Sequence, residues 1–303
     1  MTPAPILVSV YTRLLHFQNT IRALQQNELA KESELFIVSD GPAKVEHAEA
    51  VAAVRLYAQT ITGFKSVHFI FRSENQGMFK SIISAHTELL DRYGKLIFLE
   101  DDIQVAPGFL SYLNRALEYY KNDTRIFSVH GYSYPVDYPI QYPADLFLFP
   151  RYNPWGVGLW KDRWKKVDFD ESQLDHFFSD KKAVKKFIQI QPGLLPILEK
   201  KMQAADALIS YHMFKNNLQG VYPIRTQTLN RGFDNSGQHC TDNPLYAKQA
   251  FSLNTSTIDC VDLQVNTRLI KKLRSFFGYP TFSKRISNKV ERWIQNATHA
   301  TDS

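Results

Sequence analysis

The sequence predicts an α/β fold, a Rossmann-like and mostly parallel sheet flanked by helices. Two observations carry this. Ile6 to Tyr11, Leu35 to Val38, Val67 to Phe71 and Leu96 to Leu99 are short apolar runs rich in Val, Ile and Phe, the pattern of strands covered on both faces. Helical patterns lie between them, and repeated strand–helix–strand order implies right-handed crossovers and parallel pairing.

The clearest helix is MFKSIISAHTELLDRY, where Phe79, Ile82, Ile83, His86, Leu89 and Leu90 recur three or four apart and Gly94 supplies the stop. Beyond Asp102 the pattern becomes mixed. A helix is expected from Pro107 to Tyr120 and a strand from Ile126 to His130. Loops rich in Tyr and Pro then run to Pro154, followed by a helix around Ala204 to Asn217 and the strand-like VYPIRTQTL. No low-complexity linker divides the chain, so residues 1–264 read as one domain with halves 1–102 and 103–264, and residues 265–303 as a tail.

Composition excludes several classes. The chain has 303 residues, 44% of them hydrophobic, which is enough for a large core and argues against disorder. Lys plus Arg exceed Asp plus Glu by 36 to 30, a net +6. That balance favours a phosphate-bearing ligand or an anionic membrane and is too mild to indicate nucleic acid. Cys240 and Cys260 leave a single bridge open, but no Cys-x-x-Cys spacing points to zinc or to an oxidising compartment. MTPAPILVSVYTR has neither a basic start nor a small-residue cleavage site, and no run is long enough to span a bilayer. A cytoplasmic protein is expected.

In open parallel sheets, ligands collect beyond the carboxyl ends of the strands. Here those positions are Thr12-Arg13, Ser39-Asp40-Gly41, Arg72 to Gly77, and Glu100-Asp101-Asp102. No Gly-x-Gly-x-x-Gly follows the first strand and no Gly-Lys-Ser/Thr loop occurs, which argues against a dinucleotide enzyme or a P-loop phosphotransferase. A different way of holding phosphate is needed, and a metal bound by carboxylates is the obvious one.

The strand ending in Glu100-Asp101-Asp102, followed by IQVAPGFLSYL, resembles the Asp-x-Asp region of GT-A glycosyltransferases, and most closely the inverting N-acetylglucosaminyltransferase I family. The likeness continues in order through YTR, VSDG, NPWGVGLW (153–160) and VYPIRTQTLNRGFDNSGQH (221–239), and spans roughly residues 5–250. The chain lacks the Golgi-type anchor and stem and is shorter, so the resemblance implies a bacterial relative. It implies a nucleotide-binding first half, an acceptor-binding second half, a UDP-sugar donor, a glycan or lipid-linked glycan acceptor, and Mn2+ or Mg2+.

By the same resemblance Asp102 is the metal ligand, Asp101 lies near the ribose and a metal-bound water, and Glu100 faces the donor sugar or acceptor. A solvated turn capping the next helix is the bland alternative for this triplet. The likeness places Arg13, with Thr12 beside it, on the diphosphate, where a guanidinium binds oxygens in bidentate fashion. It places Asp40 on the base or ribose, although an Asp-Gly turn explains that residue as well. Arg72 is a weaker candidate at the same edge, equally readable as a surface residue. Asp206 holds the place of the general base, ahead of Asp168, Asp170 and Asp175. Trp155 and Gly156 line the acceptor side, while Trp164 reads as core. Arg231 and His239 belong to a loop closing over the donor, with His239 completing the metal shell in some relatives of the fold.

Two other functions fit parts of the pattern. A nucleotidyltransferase needs a Gly-rich basic loop after the first strand, and YTRLLHFQ is not one. An inactive sugar-binding module on the same scaffold has no need of the intact triplet and Arg13. In the tail, TRLIKKLRSFF sets Leu269, Ile270, Leu273, Phe276 and Phe277 beside Arg268, Lys271, Lys272 and Arg274; Lys284, Arg285, Lys289, Arg292 and Trp293 follow. This is the composition of a helix lying on an anionic membrane surface, and equally of a basic helix packed on the domain. An enzyme extending a lipid-linked glycan must reach the inner face of the cytoplasmic membrane, which favours the first.

Overall fold

The computed structural model of the protein describes residues 2–138, 144–234, 243–252 and 257–279. The parallel half forms as the apolar runs require: β1 (Ile6–Val10), α1 (Leu14–Gln25), β2 (Glu34–Ser39), α2 (Ala48–Ala58), β3 (Ser66–Phe71), α3 (Met78–Tyr93) and β4 (Lys95–Glu100). Gly94 ends α3 in the left-handed conformation at φ 77°, where only glycine avoids strain.

The second half adds β5 (Ile103–Val105), α4 (Phe109–Tyr119), β6 (Ile126–His130), β7 (Leu146–Phe149), β8 (Val157–Trp160), α5 (Lys161–Trp164), α6 (Gln173–Ser179), α7 (Lys181–Ile190) and α8 (Leu195–Glu199). It continues with α9 (Ala205–Lys215), β9 (Gln219–Pro223), β10 (Thr228–Asn230), α10 (Pro244–Ala247) and α11 (Thr267–Phe276).

Eight strands make one sheet in the order β3-β2-β1-β4-β8-β6-β9-β7. Pairing is parallel from β3 through β4 and between β6 and β9; β8 runs antiparallel to both of its neighbours, and β7 antiparallel to β9. The expected mostly parallel sheet with a mixed second half is what forms, and β8 joins the two halves. Alternate residues of each strand feed opposite faces. Ile6, Val8, Leu35, Ile37, Ile97 and Leu99 pack with α1, α2 and α4, whereas Leu7, Phe36, Val38, Leu96 and Phe98 pack with α3 and α9. Each such side chain contributes roughly 1.5–3 kcal/mol on burial.

The second half of NPWGVGLW, Val157 to Trp160, forms β8 in the middle of the sheet. Val157 to Trp160 are buried, and Trp160 Nε1 donates to the Leu117 carbonyl at 3.2 Å. Trp164 is core as expected, stacked on His86. VYPIRTQTL divides between β9 and β10, and β10 pairs antiparallel with β5 in a two-stranded ribbon. The apolar stripe of α11 is also used by the domain: Leu269 and Leu273 are buried with Tyr132, Tyr134, Phe147, Phe149 and Tyr222. Residues 267–277 thus show the packed helix rather than one turned to a membrane, while Lys284, Arg285, Lys289, Arg292 and Trp293 lie outside the described residues. No helix among the described residues is long and apolar enough to cross a membrane.

Candidate active site

The three carboxylates sit where β4 ends at the carboxyl edge of the sheet, and β5 and β10 hold the turn that carries them. Arg231 N donates to the Asp102 carbonyl at 2.9 Å and Thr20 Oγ1 to the Asp101 carbonyl at 2.7 Å. Asp101 and Asp102 are each only 4% exposed, so their charges need a partner. Arg13 supplies it from the neighbouring strand end. Its Nη2 bonds Asp101 Oδ1 and lies 2.9 Å from Asp102 Oδ2. Burial alone would lower the Arg13 pKa, but the charges of Asp101 and Asp102 more than reverse this. Burial pushes Asp101 up to about 6 against the pull of Arg13.

The pairing is incomplete. Asp102 Oδ1 and Arg13 Nη1 are both buried with no hydrogen-bond partner among the described residues. Gly232 is pressed against the same group: a Cβ there would stand 2.1 Å from Asp102 Oδ2 and 2.9 Å from Arg13 Nη1. The described residues contain no group of three or more His, Cys, Asp or Glu able to hold a metal by themselves. The donor set fits a hard divalent cation that takes one protein carboxylate and completes its shell with phosphate oxygens and water. Asp102 Oδ1 is the atom left for it.

Glu100 is half-buried, and its pKa is raised by burial first, then by the charges of Asp102, Asp101 and Asp206. Asp206, half-buried in the first turn of α9, therefore shares a field with the triplet although more than a hundred residues separate them. One turn on, Ser210 Oγ accepts from Tyr152 N at 3.1 Å, so the Asp206 face of α9 lies against residues 151–153. Tyr152 is raised by burial, Glu100 and Asp206 in that order. Thr20, Tyr134, Arg151, Tyr152 and Gly232 were not singled out by the sequence. Nothing in their spacing marks them.

The other expected residues divide. Thr12 is half-buried beside Arg13 at the start of α1. Asp40 holds two loops together: Oδ1 accepts from Gly41 N at 3.0 Å and Gln76 N at 2.9 Å, and Oδ2 from Asn75 Nδ2 at 3.2 Å. Arg72 Nη2 donates to Ser84 Oγ at 3.0 Å, and its buried Nε has no partner among the described residues. Arg231 is committed to Gln104 Oε1 at 3.0 Å and to the carbonyls of Ala247 and Gln249. Trp155 is half-buried against Tyr132, Phe233 and Tyr246. The space left by Gly156, at φ +85°, is filled by Thr228 and Phe109, so its missing Cβ serves packing. His239 and Cys240 lie outside the described residues.

No protein-family model matches the chain, and no curated protein does. Among solved structures it is similar to mannosyltransferase PcManGT from Pyrobaculum calidifontis in complex with GDP-Man and Mn2+, at 12% identity and TM-score 0.36 over 54% of this chain and 46% of that one. It is similar to S. aureus TarS at 12% identity and TM-score 0.36, over 55% and 30%. A third is GalNAc-T7 with UDP, GalNAc and Mn2+, at 11% identity and TM-score 0.44 over 74% and 43%. The chain spans less than half the length of each of these solved chains.

Proposed function

We propose that the protein is an inverting, metal-dependent glycosyltransferase that moves a sugar from a UDP-sugar to a glycan acceptor in bacterial surface polysaccharide synthesis. The observation that carries this reading is the unpartnered, buried Oδ1 of Asp102 beside Arg13 at the carboxyl edge of the sheet. A carboxylate oxygen and a guanidinium nitrogen left open side by side are complementary to a metal–diphosphate. Asp102 would hold the cation, which when bound neutralises the diphosphate and stabilises it as leaving group. Arg13 Nη1 binds a phosphate oxygen directly. Asp206 takes the proton of the acceptor hydroxyl while that oxygen attacks the anomeric carbon opposite the departing diphosphate, so no covalent intermediate is needed. Asp40 pins the loops that border the nucleotide, and Thr12, Arg72 and Arg231 shape the same edge. The lipid-linked acceptor would be met at the inner face of the cytoplasmic membrane.

Incubating the full chain with Mn2+ and a panel of UDP- and GDP-sugars, and measuring free UDP or GDP, tests this. Release from one donor, lost on chelation, is expected. Pyrophosphate release from a nucleoside triphosphate plus a sugar phosphate would favour nucleotidyl transfer, and binding without turnover an inactive sugar-binding module.

A further inference from the structure

Arg151, just beyond β7, forms no ion pair among the described residues. Its guanidinium lies over the ring of Phe277 at 4.0 Å, and Nη1 reaches Gln191 Oε1 only at 3.5 Å, the outer limit of a hydrogen bond. Stacking on an aromatic face fixes a guanidinium while leaving its donors for a ligand. Gln191 is itself anchored, its Nε2 bonding the Pro150 carbonyl.

Beside it stands Tyr134, 3% exposed, with a buried hydroxyl that makes no hydrogen bond among the described residues. Its ring packs edge-on against Phe277 at 4.9 Å and lies 5.7 Å from that of Tyr222, whose hydroxyl donates to the Arg151 carbonyl at 2.6 Å. The bond from Tyr152 N to Ser210 Oγ brings this segment onto the α9 face that carries Asp206. Burial is the first influence on the Tyr134 hydroxyl and raises its pKa; Arg151 and then the nearby side chains of Tyr222 and Asn153 lower it, and Asp206 raises it. A buried, unpaired hydroxyl is costly unless something satisfies it. The carboxylates of Glu100 and Asp206 would repel an anionic acceptor, and Arg151 is placed to offset that repulsion by bidentate contact.

We propose that Arg151 and the Tyr134 hydroxyl form an anion subsite beside Asp206 that binds a carboxylate or phosphate on the acceptor, making the acceptor an acidic sugar. This rests on the reading of Asp206 as the base that faces the acceptor. Arg13 serves the donor diphosphate, so the two arginines divide the substrates between them.

Binding of methyl β-D-glucuronide, glucose 1-phosphate and methyl β-D-glucoside to the full chain, by ligand-observed NMR, is the test. One acidic probe should bind about tenfold or more tightly than the neutral one, the gain of a charged hydrogen-bonded contact, and the tighter arm names carboxylate or phosphate. Arg151→Gln should abolish the preference and Arg151→Lys restore part of it. Tyr134→Phe should weaken it at little cost in thermal stability, because the lost hydroxyl makes no hydrogen bond of good geometry. Equal binding of all three probes, or a preference that survives both Arg151→Gln and Tyr134→Phe, would overturn the subsite. The two readings fail separately. Arg151-dependent glucuronide binding without nucleotide-sugar turnover refutes only the transfer, whereas turnover with no acidic preference refutes only the subsite.

Discussion

Arg13 Nη2 lies 2.9 Å from Asp102 Oδ2, while Arg13 Nη1 and Asp102 Oδ1 are left buried and unpartnered among the described residues. A pair built for stability alone would satisfy all four atoms, because each open polar atom costs free energy. Their openness is the physical reason to look for a ligand that brings both a cation and an anion.

Gly232→Ala should disable this pair without unfolding the chain. The new Cβ would stand 2.1 Å from Asp102 Oδ2, so the carboxylate must move. A displacement near 1 Å costs on the order of 10²-fold in rate, while overpacking costs about 1–3 kcal/mol of stability. Steady-state kinetics and thermal melting of the variant check both numbers; unchanged kinetics would mean that the carboxylate position is immaterial.

Asp206→Asn should retain nucleotide binding and lose transfer by roughly 10²–10⁴-fold, the usual contribution of a general base. The field it shares with Glu100 across the site motivates this. Normal turnover in the variant would move the base elsewhere, with Asp168 or Asp170 tested next.

Acid should destabilise the fold through His86. Burial holds its pKa down at about 4 from 6.5, and Nε2 is buried without a partner among the described residues. The unfolded chain binds the proton first, so this contribution is complete above pH 6.5 and is lost as the pH falls towards 4, by at most about 3 kcal/mol. His130, lowered by burial to about 3, acts in the same direction. Urea unfolding at several pH values should show a shallower acid loss in His86→Leu; an identical slope would clear His86 of the effect.

Leu273→Ala discriminates between the two readings of the tail. Leu273 is fully buried beneath α11, so truncation should cost about 2–5 kcal/mol and leave any flotation with anionic liposomes unchanged. A helix that lay on the membrane would behave in the opposite way, losing flotation and keeping its melting temperature.

The parallel half was legible because strands covered on both faces must be uniformly apolar, and Ile6, Leu35 and Leu96 begin such runs; the run from Val67, expected to be buried, forms the edge strand β3, which is only half-buried and leaves Phe69 exposed. Arg13 and Asp102 were legible because chain order puts both just past strand ends. Residues 173–199 were not: α6 and α8 are short, α7 is rich in lysine, and together they bury only a few side chains such as Leu174, Phe177 and Phe187 around their own small core. The NPWGVGLW block was ambiguous because glycine and tryptophan suit a sugar surface and a tight sheet alike. In the structure the missing Cβ of Gly158 admits Leu117, which would stand 3.0 Å away. Tyr134 and Arg151 gave no signal, since an aromatic side chain in a Tyr-rich segment is ordinarily core and only three-dimensional placement shows an unpaired hydroxyl beside an unpaired cation.

In the proposed reaction Asp102 Oδ1 is kept open for a metal that carries a nucleotide diphosphate. Calorimetric titration of UDP into the full chain, with and without Mn2+ and for Asp102→Ala in parallel, tests it most directly. The account predicts that Mn2+ strengthens UDP binding to the native chain and that the variant, still folded by circular dichroism, loses this metal-dependent gain. Metal-dependent binding of equal strength in Asp102→Ala would contradict it.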